Sequence, residues 1–251
     1  MKLALPARAK LNLDLAVIGR RGDGLHELRT HMESIDLHDL LEVESAEETS
    51  LSVTGLDLPT AATNSVLLAQ AAIEKAVGRR LPAKFILHKR IPPGSGFGGA
   101  SSDAAAALRA LVAIHCLDVD LRQVAPIVGA DVTFFVAGGS VLIEGAGERV
   151  TRAAATPGWF ALAWPGIELS TAAVYRAWDE VKGEGANQLR RAAGHVDKRI
   201  DDFAARLGPG WQMTGSGSAF FRVCAERNEA VSATSGLECW TAVSQAVGPW
   251  A

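Results

Sequence analysis

The sequence predicts an α+β fold of two domains with a ligand cleft between them. Three observations carry that expectation. Strand-like and helix-like segments are interspersed without the regular alternation of a parallel α/β sheet. A glycine-rich stretch at 92–102, Pro-Pro-Gly-Ser-Gly-Phe-Gly-Gly-Ala-Ser-Ser, runs straight into an alanine-rich helical segment. A break at 153–157, Ala-Ala-Ala-Thr-Pro, divides the 251 residues into 1–153 and 154–251, each of ordinary domain size.

Residues 8–18 alternate, with Leu11, Leu13, Leu15 and Val17 on one face and Lys10, Asn12 and Asp14 on the other. That is the pattern of a half-buried strand. Further strands are expected at 27–35, 39–45, 49–54 and 83–91. A helix is expected over 65–77 with Asn64 as its N-cap. Others follow near 101–115, where Ser101 and Ser102 are candidate N-caps, and near 120–128. Residues 132–152 read as apolar strands interrupted by Gly138-Gly139 and Gly145-Ala146-Gly147. In the second half, strands are expected near 158–164, 211–214, 219–225 and 239–244. Helices are expected near 171–182, 187–207 and 228–235, with a loop around Lys182-Gly-Glu-Gly-Ala.

Hydrophobic residues make up 48% of the chain, enough for a core. The 25 basic and 28 acidic side chains leave a net charge of −3, which argues against nucleic acid or an anionic membrane as partner. Cys116, Cys224 and Cys239 are odd in number and widely spaced. They read as free thiols of a reducing compartment, not as a metal cage or disulfide framework. The first ten residues lack the apolar core of a signal peptide. No apolar run reaches the roughly 18 residues of a membrane span. A cytoplasmic protein acting on a small-molecule substrate is expected, as a monomer or weak homodimer.

The glycine stretch says most about function. Gly94, Gly96, Gly98 and Gly99 let the backbone approach a ligand and adopt positive φ. The amides and dipole of the following helix would converge on an anion. The spacing fits G-x-G-x-x-G, but several strands precede it, and the acidic residue due about 20 positions later would be Asp118 or Asp120, in a loop. A Walker A loop would place lysine after Gly99, where Ala100 stands. The protein-kinase motifs HRD and DFG do not occur. A phosphate cradle without its own lysine needs a cation from elsewhere. Lys10, beside Asn12, is one candidate, although a lysine on a solvated strand face has the same pattern. Asp131, in Gly129-Ala-Asp-Val-Thr-Phe-Phe at the mouth of an apolar strand, is a candidate base or a turn cap.

Five segments share one further property. They are Pro6-Ala-Arg-Ala-Lys10-Leu-Asn12-Leu, Gly24-Leu-His26-Glu-Leu, Pro92 to Ser102 with Asp103-Ala-Ala behind it, Gly129-Ala-Asp131-Val-Thr-Phe-Phe with Glu144-Gly-Ala-Gly-Glu148, and Met213-Thr-Gly215-Ser-Gly217-Ser-Ala219-Phe-Phe. In order, they resemble the motifs of the GHMP small-molecule kinases, and most closely the 4-diphosphocytidyl-2-C-methyl-D-erythritol kinase family. The resemblance implies a two-domain GHMP-kinase-like fold with ATP and acceptor sites in the interdomain cleft. It implies ATP and Mg²⁺ as cofactors, and phosphorylation of the 2-hydroxyl of a cytidine-diphosphate methylerythritol on the non-mevalonate route to isoprenoids. Under it, Asp131 is the catalytic base, and Lys10 keeps Asp131 ionised and neutralises the transferring phosphoryl group. Pro92, Pro93, Gly94, Ser95, Gly96, Phe97, Gly98, Gly99, Ala100, Ser101 and Ser102 wrap the triphosphate, with Ser102 also a Mg²⁺ contact. Asn64 and Lys89 lie near the adenine. Asn12 orients the acceptor, His26 hydrogen-bonds its cytosine, and Gly215 and Ser216 close the site from the second domain.

The chain departs from that pattern in places. Leu25 stands where the family has tyrosine before the histidine, so a ring that would stack on cytosine is missing there. Such stacking is worth about 1–3 kcal/mol in single-strand binders. Thr133 replaces a proline, Phe97 and Ala100 replace leucine and glycine, and the chain is short between about 165 and 210. A GHMP kinase for another small alcohol is the alternative reading that Leu25 favours. A nucleotide-binding regulator without catalysis is a third, opposed by the presence of both Lys10 and Asp131. Zinc is not expected, because His26 and His31 are one residue too far apart for a zincin pair. The six scattered tryptophans read as core or rim residues.

Overall fold

The computed structural model describes residues 1–22, 24–56, 63–145, 147 and 149–250. Strands β1 (Lys2–Asn12) and β2 (Ala16–Arg20) lie end to end along one edge of a 20-residue strand, β3 (His26–Ser45). The expected strand over 8–18 is therefore two. The chain leaves β1 at Leu13 and dips across to the second half of the molecule, where Leu15 bridges to Asn187. The strands expected at 27–35 and 39–45 are one. Asp36, in the gap between those two spans, accepts hydrogen bonds from Ser244 Oγ at 2.5 Å and Gln245 N at 3.1 Å. Docking to a second sheet, not a turn, is what its carboxylate serves.

β4 (Ser50–Thr54), α1 (Ser65–Val77) and β5 (Ala83–His88) follow, then helices α2 (Gly99–His115), α3 (Leu121–Val128) and α4 (Ala130–Ala137), and strands β6 (Ser140–Gly145) and β7 (Arg149–Arg152). The first sheet runs β4-β5-β3-β6-β7, with β1 and β2 on the other edge of β3. Leu41, Val43, Phe85 and Leu87 of this sheet pack against Val66, Ala69 and Ile73 of α1 and against Ala104, Ala107, Leu108 and Leu111 of α2. The alanines of α2 let it approach closely; every residue from Ser102 to Leu108 is buried. Residues 130–137 are helix, not strand. The β-branched and aromatic content of Val132-Thr-Phe-Phe-Val suggested a strand, but Val132, Phe134 and Phe135 are buried in the core beside α2, and that packing overrides propensity.

The second half contains β8 (Trp159–Trp164), α5 (Thr171–Val181), α6 (Arg190–Val196), α7 (Arg199–Leu207), β9 (Gln212–Met213), β10 (Phe220–Cys224), α8 (Arg227–Thr234) and β11 (Trp240–Gln245). Its antiparallel sheet has the order β11-β8-β10-β9. The single helix expected over 187–207 is two. Asp197 accepts from Arg199 N through its side chain at 3.0 Å, a local bond that competes with helix continuation. Leu15 and Val17 pack into the second core with Val174, Trp178, Ile200 and Phe220. Ala9, Leu11 and Ile35 pack with Phe97, Phe160, Leu162 and Phe221, so a third apolar cluster ties the two sheets together. Among the described residues no helix is long and apolar enough to cross a membrane, and the three cysteines are free.

Candidate active site

A cavity of about 860 Å³ is lined by residues from both halves of the chain. At its centre the glycine loop turns into α2. The N-cap is Gly98, at φ 78°, and the helix begins at Gly99. Ser101 and Ser102, expected as caps, sit inside the first turn. A side-chain cap is replaced by a left-handed glycine, which leaves the first-turn amides without a competing hydroxyl at the N-cap. Pro92 to Gly96 and Gly98 to Ser101 line the cavity, while Phe97 and Ser102 do not. The Phe97 ring is buried between the sheets, 5.8 Å from that of Trp240. Ser102 Oγ is turned back on its own helix and donates to Gly99 O at 2.9 Å.

The loop is held by protein on the side away from the cavity. Ser95 Oγ donates to Pro92 O at 2.6 Å, and Ser95 O accepts from Ala219 N at 2.8 Å. A Cβ at Gly96 would lie 2.8 Å from the carbonyl oxygens of Thr214 and Gly217, so the two glycine motifs are in backbone contact. A Cβ at Gly98 would lie 2.7 Å from Phe135 Cζ and 3.2 Å from Lys10 Cγ. Gly98→Val should therefore strike protein before it strikes phosphate. Its melting temperature without nucleotide should fall, and ATP binding should weaken with it. A variant with unchanged melting temperature and lost ATP affinity would place the clash on the ligand instead.

Lys10 is buried, not solvated, at 4% exposure. Its Nζ donates to Asn12 Oδ1 and to Gly96 O, both at 2.6 Å. Of three ammonium protons, one is left to point elsewhere. Burial pushes its pKa below the ordinary lysine value, and the negative charge of Asp131 works in the opposite direction. Asp131 stands in the first turn of α4, at the end of a helix where negative charge is favoured. It is not in direct hydrogen-bond contact with Lys10; the coupling is through space. Asn12 is nearly as buried as Lys10. Its Nδ2 donates to Thr30 Oγ1 and its backbone N to Thr214 Oγ1, both at 2.8 Å. With both ends of its amide engaged, Asn12 sets the place of Lys10. Gly215 fits against this pair, since a Cβ there would lie 3.0 Å from Asn12 Oδ1 and 3.1 Å from Lys10 Nζ. Ser216 Oγ is 2.9 Å from Thr171 Oγ1 on the cavity rim.

Towards one end of the cavity, His26 Nε2 lies 2.9 Å from Asp179 Oδ1. That bond is the main cause holding the Asp179 carboxyl below its usual range. The imidazole is stacked at 5.0 Å on Tyr175 and meets Trp178 edge-on at 5.7 Å. Tyr175, the chain's single tyrosine, also lines the cavity. Burial, and then the charge of Asp131, push its phenol well above the ordinary value. Leu25 is 55% exposed beside the same end. Sequence reading missed Tyr175, Trp178 and Asp179. All three lie on α5, inside the segment that looked merely short, and a lone tyrosine there was the available signal.

At the other end, Asn64 caps α1 by accepting from Val66 N at 3.0 Å, as expected. Lys89 lines the cavity, but its ammonium is committed. It donates to Asp39 Oδ2 and, at 2.8 Å, to Asp103 Oδ2. Burial disfavours the Lys89 charge, yet the two carboxylates hold its pKa above the ordinary value. Asp103 is raised well above the carboxylate range, chiefly by burial. Asp39 also accepts from Arg90 N at 2.5 Å and Ile91 N at 2.9 Å, directly ahead of the loop. Lys89 therefore braces the loop's entry. Glu148 of the fourth motif lies outside the described residues.

The N-terminal domain of the GHMP kinases matches residues 64–139, the span from Asn64 through the loop and Asp131. Two bacterial proteins named 4-diphosphocytidyl-2-C-methyl-D-erythritol kinase align over nearly the whole chain. The one from Caldicellulosiruptor saccharolyticus is 32% identical, covering 94% of this chain and 93% of its own. The chain belongs to the 4-diphosphocytidyl-2-C-methyl-D-erythritol kinase family. The relative from Listeria welshimeri is 31% identical, with 100% and 97% covered. A crystal structure of a 4-(cytidine 5'-diphospho)-2C-methyl-D-erythritol kinase superposes with a TM-score of 0.83 at 32% identity, covering 97% of this chain and 99% of that one. The fold is thus the GHMP-kinase fold, and use of ATP follows from membership of the family.

Proposed function

We propose that this protein transfers the γ-phosphoryl group of ATP to the 2-hydroxyl of 4-diphosphocytidyl-2-C-methyl-D-erythritol, in non-mevalonate isoprenoid precursor biosynthesis. The observation that carries the reading is one cavity in which the loop at the start of α2, the Lys10 ammonium and the Asp131 carboxylate meet. Loop amides hold the phosphates. The remaining Lys10 proton is donated to the transferring group, and Asp131 takes the proton of the acceptor hydroxyl as it attacks. Phosphoryl transfer asks little more of a protein than such positioning and charge. With Nε2–H donated to Asp179, the His26 imidazole keeps Nδ1 as an acceptor, the role an exocyclic amine such as that of cytosine requires. Tyr175 supplies the flat aromatic surface that Leu25 does not.

Mg²⁺ would come with the triphosphate, whose oxygens share its shell in kinase sites with waters and one or two carboxylates. Ser102 does not fit as a ligand, because it is buried in α2 and does not line the cavity. Among the described residues there is no cluster of three His, Cys, Asp or Glu fit to hold a metal. The division at 153/154 is read as the domain boundary, supported by its place between β7 of one sheet and β8 of the other.

The test is ADP release against a panel of acceptors led by the cytidine diphosphate methylerythritol. It should be the preferred acceptor by kcat/KM. Tyr175→Ala should raise its KM by about tenfold or more, the worth of base–aromatic stacking, while KM for ATP stays near wild type. Leu25→Tyr should lower the acceptor KM. Turnover of an alcohol without a nucleobase, with the cytidine acceptor ignored, would move the chain to another branch of the GHMP kinases.

A further inference from the structure

Beyond β11 the segment 246–250 turns back over the first sheet. Val247 N donates to Ser34 O at 2.9 Å, and Pro249 forms a bridge with Gly138. The Trp250 indole lies between two guanidinium groups, with Arg8 3.9 Å and Arg109 3.7 Å from its ring centroid. Arg8 Nη1 also donates to Gly248 O at 3.0 Å. Cations on both faces fix the plane of the ring. Its N–H edge is aimed at the last turn of α4. Trp250 Nε1 donates to Phe135 O at 3.0 Å, and Trp250 N donates to Ala137 O at 3.2 Å.

The last four carbonyls of a helix have no partner within it. In α4, Gly138 N takes that of Phe134, and Trp250 takes two of the others. A helix of eight residues does not hold by itself in water, so contacts of this kind decide where α4 lies. α4 carries Asp131 in its first turn. Near its other end, the Phe135 ring lies against Gly98, at the position given above.

We propose that Trp250 is a positioning residue for phosphoryl transfer: by holding the last turn of α4 it fixes the Asp131 carboxylate at the acceptor. The proposal rests on Asp131 as the base. Trp250→Phe keeps a ring between the arginines and removes the N–H. Its kcat should fall about three- to tenfold, the effect of one lost hydrogen bond. KM for ATP and acceptor should stay within about twofold, as for an interaction expressed in the transition state. Trp250→Ala should lose more.

The deciding measurement is the cycle with Asp131→Asn. A residue acting through Asp131 lowers kcat in the wild-type background and leaves it unchanged once Asp131 is already disabled. Full additivity, or wild-type kcat for Trp250→Phe, overturns the proposal and leaves the base standing. Wild-type kcat for Asp131→Asn overturns the base and the proposal together. If Trp250→Phe does not fold, Arg109→Lys is put through the same cycle. It unclamps one face of the ring while keeping the indole N–H, with a smaller fall in kcat expected and the same absence of effect beside Asp131→Asn.

Discussion

Asp131→Asn should lower kcat by about 10²–10⁴-fold, the usual worth of a positioned general base, and leave ATP affinity near wild type. The amide keeps the shape of the carboxylate at the start of α4 and can no longer accept the hydroxyl proton. Lys10→Ala should also cut kcat, because Nζ bridges Asn12 and Gly96 and carries the charge that faces Asp131. The double variant should lose far less than the product of the two, since the residues act as one unit. Steady-state kcat and KM for the four enzymes decide it. The pH profile supplies an independent check. Lys10 loses its proton as pH rises, and its pKa is below the ordinary 10.5, so an alkaline limb of kcat should begin earlier than a solvated lysine would give. Lys10→Arg should move that limb upward. Near-wild-type turnover in Asp131→Asn would return the residue to the role of a helix-end carboxylate.

Asp39→Ala should destabilise the protein by about 3–5 kcal/mol, the usual cost of breaking a buried ion pair by removing one partner. The carboxylate is fully buried and serves Lys89 Nζ, Arg90 N and Ile91 N at once. Its loss leaves the amides of Arg90 and Ile91, the latter buried, unpaired just ahead of Pro92, so the glycine loop should loosen as well. Urea unfolding gives the stability change, and calorimetric titration the accompanying loss of ATP affinity. Asp39→Asn retains an acceptor oxygen and should cost less. Equal, small effects for both would mean that solvent or Asp103 takes over the pairing.

The loop was legible because its chemistry is local, whereas Lys10 and Asp131 were singled out as a catalytic pair only by the resemblance to the GHMP kinases. A glycine run ahead of an alanine helix declares its backbone, whatever packs on it. Other features were not, for stated physical reasons. Lys10 has the same alternation whether its strand faces water or a second half of the molecule; only tertiary packing buries it. Asp131 was read at the mouth of a strand because Val132-Thr-Phe-Phe-Val has β propensity, and long-range burial of Phe134 and Phe135 made that segment helix. Ser101 and Ser102 are good caps by type, but the positive φ available to Gly98 started α2 earlier. Tyr175 meets His26 across 149 positions of sequence, a pairing no spacing rule encodes.

β3 pairs with four other strands of the first sheet: β1, β2, β5 and β6. It carries His26 at one end of the cavity and Asp39 beneath the other. Since side chains alternate with period two, inserting or deleting one residue would turn every later side chain to the opposite face. Glu33, Ser34 and Asp39 would all be misplaced, together with the four ladders. The strand is thus a part of the molecule where length is frozen and only side-chain identity can drift. Growth or shrinkage over evolutionary time has to be absorbed at the periphery, in helices such as α5 to α7 and their joints. That is where the sequence read as short against its family, and also where Tyr175 lines the cavity, so a change of size there is also a change in the cavity wall.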